Sequence, residues 1–199
     1  MICFALTGGI ACGKSFFGGI LSGLGVEVVD ADEVVRALHA PGGKAASAVR
    51  QAFGPEYIGP DGATDRKRLG ELVFADDSAR RRLEALLHPL VRQHILDWKA
   101  SEPRPDFRCA QIPLLFESGW EADWDATVTV ESPLGLRLER LAARGLSREE
   151  ALRRIASQLP AETRRAKADF TIENDESADA AALRACASDL LKKLRALHP

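Results

Sequence analysis

Residues 8–15 read Gly8-Gly9-Ile10-Ala11-Cys12-Gly13-Lys14-Ser15, a complete G-x-x-x-x-G-K-[ST] spacing, and the chemistry of that spacing is to hold phosphate. A loop of this kind folds into a concavity of backbone N–H groups, because Gly8 and Gly13 take φ/ψ values and close approaches that a Cβ forbids. Lys14 then reaches the β- and γ-phosphates of a nucleotide. Ser15 opens the next helix, so its hydroxyl is placed to ligate Mg²⁺ while the positive helix N-terminus faces the anion. The apolar run Ile2–Leu6 before the loop reads as a buried first strand, and Ser15–Leu24 after it as a helix. That context separates a phosphate loop from a chance glycine-rich turn.

Carboxylate chemistry near the phosphates has one good source. The apolar strand ending Ile112-Pro113-Leu114-Leu115-Phe116 offers no aspartate at its tip, whereas Asp30-Ala31-Asp32 follows the second apolar run. In an open parallel sheet ligands sit beyond the carboxyl ends of the strands, so a residue just past strand two can lie beside the loop that follows strand one. One carboxylate of the pair can hold Mg²⁺ through water or structure the turn. The other can accept a proton from an attacking hydroxyl, the base role in phosphoryl transfer. The competing use of either is to N-cap the following helix. Positive charge comes from Arg137, Arg140 and Arg144, which at i, i+3 and i+7 share a helix face. A lid carrying arginines in this way closes over a phosphoryl group and excludes water; spacing leaves open which of the three touches it.

These residues need a scaffold, and strands alternate with helices as a parallel α/β sheet requires. Strands are expected at Ile2–Leu6, Val26–Asp30, Arg108–Leu115, Ala126–Val130 and Phe170–Glu173. Between Ala31 and Pro105 there is helical periodicity over Asp32–Leu38, Lys44–Phe53, Asp65–Phe74 and Ser78–Trp98, interrupted by Pro41-Gly42-Gly43 and Gly59-Pro60-Asp61-Gly62. Pro133 suits a first helical turn for Leu134–Arg144, which Gly145 ends. Ser147-Arg148-Glu149-Glu150 is a capping box that opens Arg148–Leu159. The last helix, Asp179–Leu197, carries a one-sided apolar stripe of Leu183, Ala187, Leu190, Leu191, Leu194 and Leu197. The expected architecture is the three-layer α/β/α core of a P-loop NTPase with a parallel five-stranded sheet, a helical insertion and a helical lid. Its core comprises residues 1–31, 106–132 and 168–199, the insertion 32–105 and the lid 133–167.

A chain of 199 residues with 46% hydrophobic content and net charge −2 is globular, large enough for one well-buried domain with insertions, and not suited to nucleic acid. Within it residues 134–167 hold nine Arg and Lys against four Glu, which points to a specific anionic ligand rather than a polyanion. The competing reading for most of these arginines is a solvated helical face. The chain begins directly with its first strand and has no apolar stretch of ~18 residues, so a cytoplasmic monomer with no membrane partner is expected. Cys3, Cys12, Cys109 and Cys186 show no C-x-x-C spacing and read as reduced packing residues. Cys12 alone lies near a helix N-terminus, where a thiol pKa can fall and invite oxidation; its other reading is a small filler. The guanine-reading Asn-Lys-x-Asp of GTPase switches and the signature of transporter ATPases are both missing. Small-molecule kinases, and a nucleotide-binding regulator without turnover, remain.

Along nearly its whole length the sequence resembles the dephospho-CoA kinase family. The resemblance is carried by Thr7-Gly8-Gly9-Ile10 with Gly13-Lys14-Ser15, by Asp30-Ala31-Asp32 followed by Arg36, and by Phe53-Gly54, Asp61-Gly62, Asp65-Arg66 and Leu69. It continues through His88-Pro89-Leu90-Val91, Pro113-Leu114-Leu115-Phe116-Glu117, Gln158-Leu159-Pro160, Ala168-Asp169 and Ile172-Glu173-Asn174. It implies that ATP, with Mg²⁺, phosphorylates the ribose 3′-hydroxyl of dephospho-coenzyme A to give coenzyme A and ADP, the last step of that pathway. It implies further that Asp32 is the base, that Lys14 and Arg140 stabilise the transferring phosphoryl, that the insertion holds the acceptor, and that Asp32, Arg36, His88, Pro113 and Leu114 contact it. ATP contacts are implied at Gly8 to Ser15, at Arg144 and at Asn174. His88, ahead of Pro89, is placed to hydrogen-bond the acceptor, or else is a helix-kink histidine satisfied by backbone. Asn174 after the last strand is placed to meet adenine, or else forms a turn.

The sequence departs from the family pattern at three positions. Ala11 stands where glycine is usual, Cys12 where a small hydroxyl residue or alanine is usual, and Gln111 where an acidic residue often precedes the Pro-Leu-Leu-Phe-Glu stretch. If position 11 needs positive φ, Ala11 strains the loop by roughly 1 kcal/mol. Altered nucleotide affinity is then expected rather than inactivity, because the amides, Lys14 and Ser15 are retained.

Overall fold

The computed structural model describes residues 1–197; His198 and Pro199 lie outside the described residues. The chain divides into two compact units, Met1–Val29 with Pro103–Pro199, and Asp30–Glu102.

The first unit is built on a five-stranded sheet in the order β2-β3-β1-β4-β5, with β1 Ile2–Gly8, β2 Glu27–Asp30, β3 Phe107–Gln111, β4 Ala126–Glu131 and β5 Phe170–Glu173. β1 pairs in parallel with β3 and β4, and β4 in parallel with β5. Every residue of β1, β3 and β4 is buried, as in a parallel sheet with helices on both faces; β1 accordingly reads as an apolar run, while β3 and β4 also bury Arg108, Gln111, Thr127, Thr129 and Glu131. α1 Lys14–Ser22 and α9 Ala180–Leu197 pack beside one another and seal one core, with Phe4, Leu6, Phe17, Leu21, Val128, Leu183, Leu190 and Leu194 inside it. β1 is central, so the loop that leaves it opens at the middle of the sheet's carboxyl edge, where an α/β sheet binds ligands. The third strand is shorter than periodicity predicts: it ends at Gln111, and Pro113–Phe116 form turns. Pro113 has no N–H for a ladder, and its carbonyl instead accepts from Thr7 Oγ1 at 3.2 Å.

After β4 the chain forms α6 Leu134–Ala142, α7 Arg148–Ala156 and α8 Ala161–Lys167. Two helices were expected here. α6 stops at Ala142, two residues before Arg144, and the expected Arg148–Leu159 helix ends at Ala156. Pro160 cannot continue a helix but starts the next one well, so α8 begins after it. The Ser147–Glu150 capping box is present in both directions.

The second unit is helical, with α2 Ala31–His39, α3 Lys44–Phe53, α4 Arg66–Ala75 and α5 Asp77–Ala100, plus an isolated antiparallel bridge Ile58–Thr64. α2 packs on α3 and α5. Its C-terminal His39 is buried, bonded through Nδ1 to Thr64 Oγ1 at 2.9 Å, while its carbonyl accepts from Thr64 N at 2.9 Å. α5 runs through Pro89, where the missing N–H costs one intrahelical bond without ending the helix.

Candidate active site

The phosphate loop takes its shape from donors that grip its carbonyls from outside. Arg137 Nε donates to Ile10 O at 2.9 Å, Arg140 Nη1 to Ala11 O at 3.0 Å, and Asn174 Nδ2 to Cys12 O at 2.8 Å. Because a trans peptide points its carbonyl and its following N–H in opposite directions, carbonyls held outward turn the Ala11 and Gly13 amides the other way. Gly13 is the N-cap of α1 with φ 94, and no side chain caps the helix, so its first amides are left for an anion. A Cβ on Gly13 would collide with Asn174 Nδ2. Ser15 is exposed at the start of α1, and Lys14 Nζ lies 3.5 Å from Gln111 Oε1. Ile10 and Ala11 pack on Leu138, Leu141, Ala151 and Ile155, which ties the loop to α6 and α7.

Behind these donors lies a buried ion pair. Glu131 and Arg164 are 0% and 1% exposed, and both carboxylate oxygens are engaged, by Arg164 Nε and Nη2 at 2.7 Å each. Thr129 Oγ1 donates to Glu131 at 2.7 Å, and Arg164 Nη1 donates to Leu159 O. Burial presses on the Arg164 guanidinium, yet the hydrogen bonds and charge of Glu131 outweigh it and hold Arg164 above its ordinary pKa. The segment between α7 and α8 is thereby strapped down, with Leu159 N donating to Glu117 Oε1 at 3.0 Å and Gln158 Oε1 accepting from Ile10 N at 2.7 Å. Glu131, Ser132 and Arg164 were not singled out from sequence. The available signal was a carboxylate closing the apolar run Val128-Thr129-Val130, where a charge needs a buried partner.

Several expected sites sit elsewhere than their spacing suggested. Arg137 is buried and Arg140 half-buried, whereas Arg144 is exposed in the turn after α6, off the helical face it was expected to share. Asn174 is buried with its amide nitrogen committed to the loop rather than forming a turn. Cys12 is buried, and desolvation, ahead of the lowering effect of Arg137, pushes its thiol above the ordinary value, so the filler reading holds and the low-pKa reading does not. Cys3 and Cys109 are buried as expected, but Cys186 is exposed. Asp30 and Asp32 divide their roles: Asp30 caps α2 by accepting from Asp32 N at 2.8 Å, and Asp32 is exposed with no partner for its carboxylate among the described residues. Arg36 pairs with Glu33 at 3.5 Å, His88 is exposed on α5, and Leu114 is exposed after β3.

The pattern described as dephospho-CoA kinase matches residues 2–180. The chain belongs to the dephospho-CoA kinase family. It is 46% identical over 185 residues to the dephospho-CoA kinase of Anaeromyxobacter dehalogenans, a match covering 92% of this chain and 88% of that one. Among solved structures, a protein of Thermus thermophilus shares 34% identity with a TM-score of 0.80, covering 100% of this chain and 98% of that one. The dephospho-CoA kinase from Campylobacter jejuni shares 29% identity with a TM-score of 0.65 over 96% of both chains.

Proposed function

We propose that the protein transfers the γ-phosphoryl group of ATP to the ribose 3′-hydroxyl of dephospho-coenzyme A, giving coenzyme A and ADP. The observation that carries this reading is the phosphate loop, whose three successive carbonyls at Ile10, Ala11 and Cys12 are held by side chains so that its amides are set before any nucleotide arrives. Such preorganisation lowers the barrier to phosphoryl transfer, because no dipole has to reorient as charge spreads over the transferring group.

In this reading Gly8 to Ser15 hold the phosphates and Lys14 leaves its contact with Gln111 to reach them. Arg140 keeps Nη1 on the loop, and its Nε and Nη2, which have no partner among the described residues, face the phosphoryl group. Arg144 and the loop-bound Asn174 serve the nucleotide. Asp32, free of capping duty because Asp30 performs it, accepts the proton of the acceptor hydroxyl. Arg36 and His88 serve the acceptor, and so do Pro113 and Leu114. The donor set suits Mg²⁺ carried in with the nucleotide: Ser15 offers one hydroxyl, and no group of three or more His, Cys, Asp or Glu among the described residues makes a protein cage. When bound, that ion neutralises charge on the phosphates. No helix among the described residues is long and apolar enough to cross a membrane, and both substrates are small molecules.

The test is ADP formation by the purified protein with Mg-ATP, comparing dephospho-coenzyme A with AMP, shikimate and no acceptor. Stimulation by dephospho-coenzyme A alone, with a product one phosphoryl group heavier, is expected. Stimulation by another acceptor, or ATP binding without turnover, would overturn the reading.

A further inference from the structure

The turn at the centre of the phosphate loop keeps an alanine in a conformation that alanine leaves when it can. Cys12 N donates to Gly9 O at 3.1 Å and closes a four-residue turn on Ile10 and Ala11. Ala11 has φ 62 and is the one non-glycine residue with positive φ among the described residues. Positive φ at the third residue alone marks a type II turn, in which the central peptide is flipped relative to type I. Flipping it back returns Ala11 to the right-handed region that a Cβ prefers. The same flip reverses the Ala11 N–H, which lies opposite the Ile10 carbonyl across that peptide.

Two side chains oppose the flip. Arg137 Nε holds Ile10 O at 2.9 Å and Gln158 Oε1 holds Ile10 N at 2.7 Å, so the residue before the peptide is gripped at both polar groups. Arg137 is 6% exposed and its Nη2 is buried with no hydrogen-bond partner. Gly9 admits it, since a Cβ there would stand 2.8 Å from Nη2. Gln158 is fixed through its neighbour Leu159, bonded on one side to Glu117 and on the other to the Arg164 that Glu131 pins.

We infer that Arg137 and Gln158 are positioning residues that hold the Ile10–Ala11 peptide flipped so that the Ala11 amide faces the nucleotide phosphates, and that Ala11 makes this hold necessary where a glycine would not. The inference rests on the nucleotide half of the proposed function and is independent of the acceptor.

The test is calorimetric binding of a non-hydrolysable ATP analogue to the full chain carrying Arg137→Met, Gln158→Leu or Gln158→Glu, each with and without Ala11→Gly, beside steady-state kinetics and circular dichroism. Arg137→Met and Gln158→Leu are expected to weaken the analogue by about tenfold or more, the scale of a lost hydrogen bond to the held peptide. KM for ATP should rise while KM for the acceptor stays. Gln158→Glu keeps an acceptor oxygen and should bind near the original affinity, and Ala11→Gly should restore most of what the two damaging variants lose. Unchanged affinity in both damaging variants overturns the inference, as does a loss that Ala11→Gly fails to restore. If Arg137→Met does not fold, the Gln158 arms decide. The expected binding pattern without any phosphorylation of dephospho-coenzyme A would uphold this inference and overturn the proposed acceptor.

Discussion

Asp30 and Asp32 show how one hydrogen bond separates two chemically identical side chains. Asp30 is committed to the first turn of α2, whereas the exposed Asp32 carries no capping bond on its carboxylate. Asp32→Asn is therefore expected to lower kcat by about 10²–10⁴, the range of a lost general base, with ATP-analogue affinity retained; unchanged turnover would remove Asp32 from that role. Spacing could name the pair but not divide it, because which aspartate caps depends on the backbone angles of the turn. Cys12 carries the opposite lesson. Its position before a helix N-terminus suggests a reactive thiol, yet burial raises its pKa and leaves less thiolate near neutral pH than an ordinary cysteine has. A thiol-alkylating reagent on the folded protein should modify the exposed Cys186 and spare Cys12, read by peptide mass spectrometry; rapid labelling of Cys12 would contradict the burial.

At the scale of elements, β4 and α8 are held together by a buried ion pair. Glu131 ends β4 and Arg164 sits in α8, and the pair is fully buried and doubly bonded. Removing one partner strands the other in a low-dielectric interior, so Glu131→Ala should cost about 3–5 kcal/mol in denaturant unfolding. A cost near zero would mean that water reaches Arg164 freely. In the helical unit, α2 is anchored by His39, whose imidazole burial, and then the charge of Arg66, hold below the ordinary 6.5. The sign follows from proton uptake: below pH 6.5 the unfolded chain binds a proton that the folded His39 resists, so stability falls as pH falls. The exposed carboxylates held low, among them Asp76 and Glu150, act at lower pH still. His39→Gln should flatten the stability profile between about pH 5 and 6.5, and an unchanged slope would exclude His39 as its source.

For the whole molecule, a loop shaped before its ligand arrives should return stability when the ligand binds. At about 100 times its Kd a nucleotide adds about 2.7 kcal/mol, worth roughly 5–10 °C in Tm for a chain of this size. Mg-ATP analogue should produce such a shift, and Glu131→Gln should diminish it by loosening the anchor of the loop; equal shifts in both proteins would argue that the anchor serves folding alone. Much of this molecule was legible beforehand. The glycines, Lys14 and Ser15, the five strands, the helical stretch after Asp32 and the capping box at Ser147 all follow from short-range spacing and periodicity, which constrain what a segment can become whatever it later meets. The third helix after β4, the end of α6 before Arg144, the Glu131–Arg164 pair and the grip on the loop's carbonyls were not legible. Gln158 meets Ile10 across 148 residues and Asn174 meets Cys12 across 162. Pairings of that range cost chain entropy and form only where the packed sheet brings their elements side by side. Local chemistry thus marked a phosphate-loop spacing on an α/β fold, and tertiary packing decided which side chains hold that loop's carbonyls.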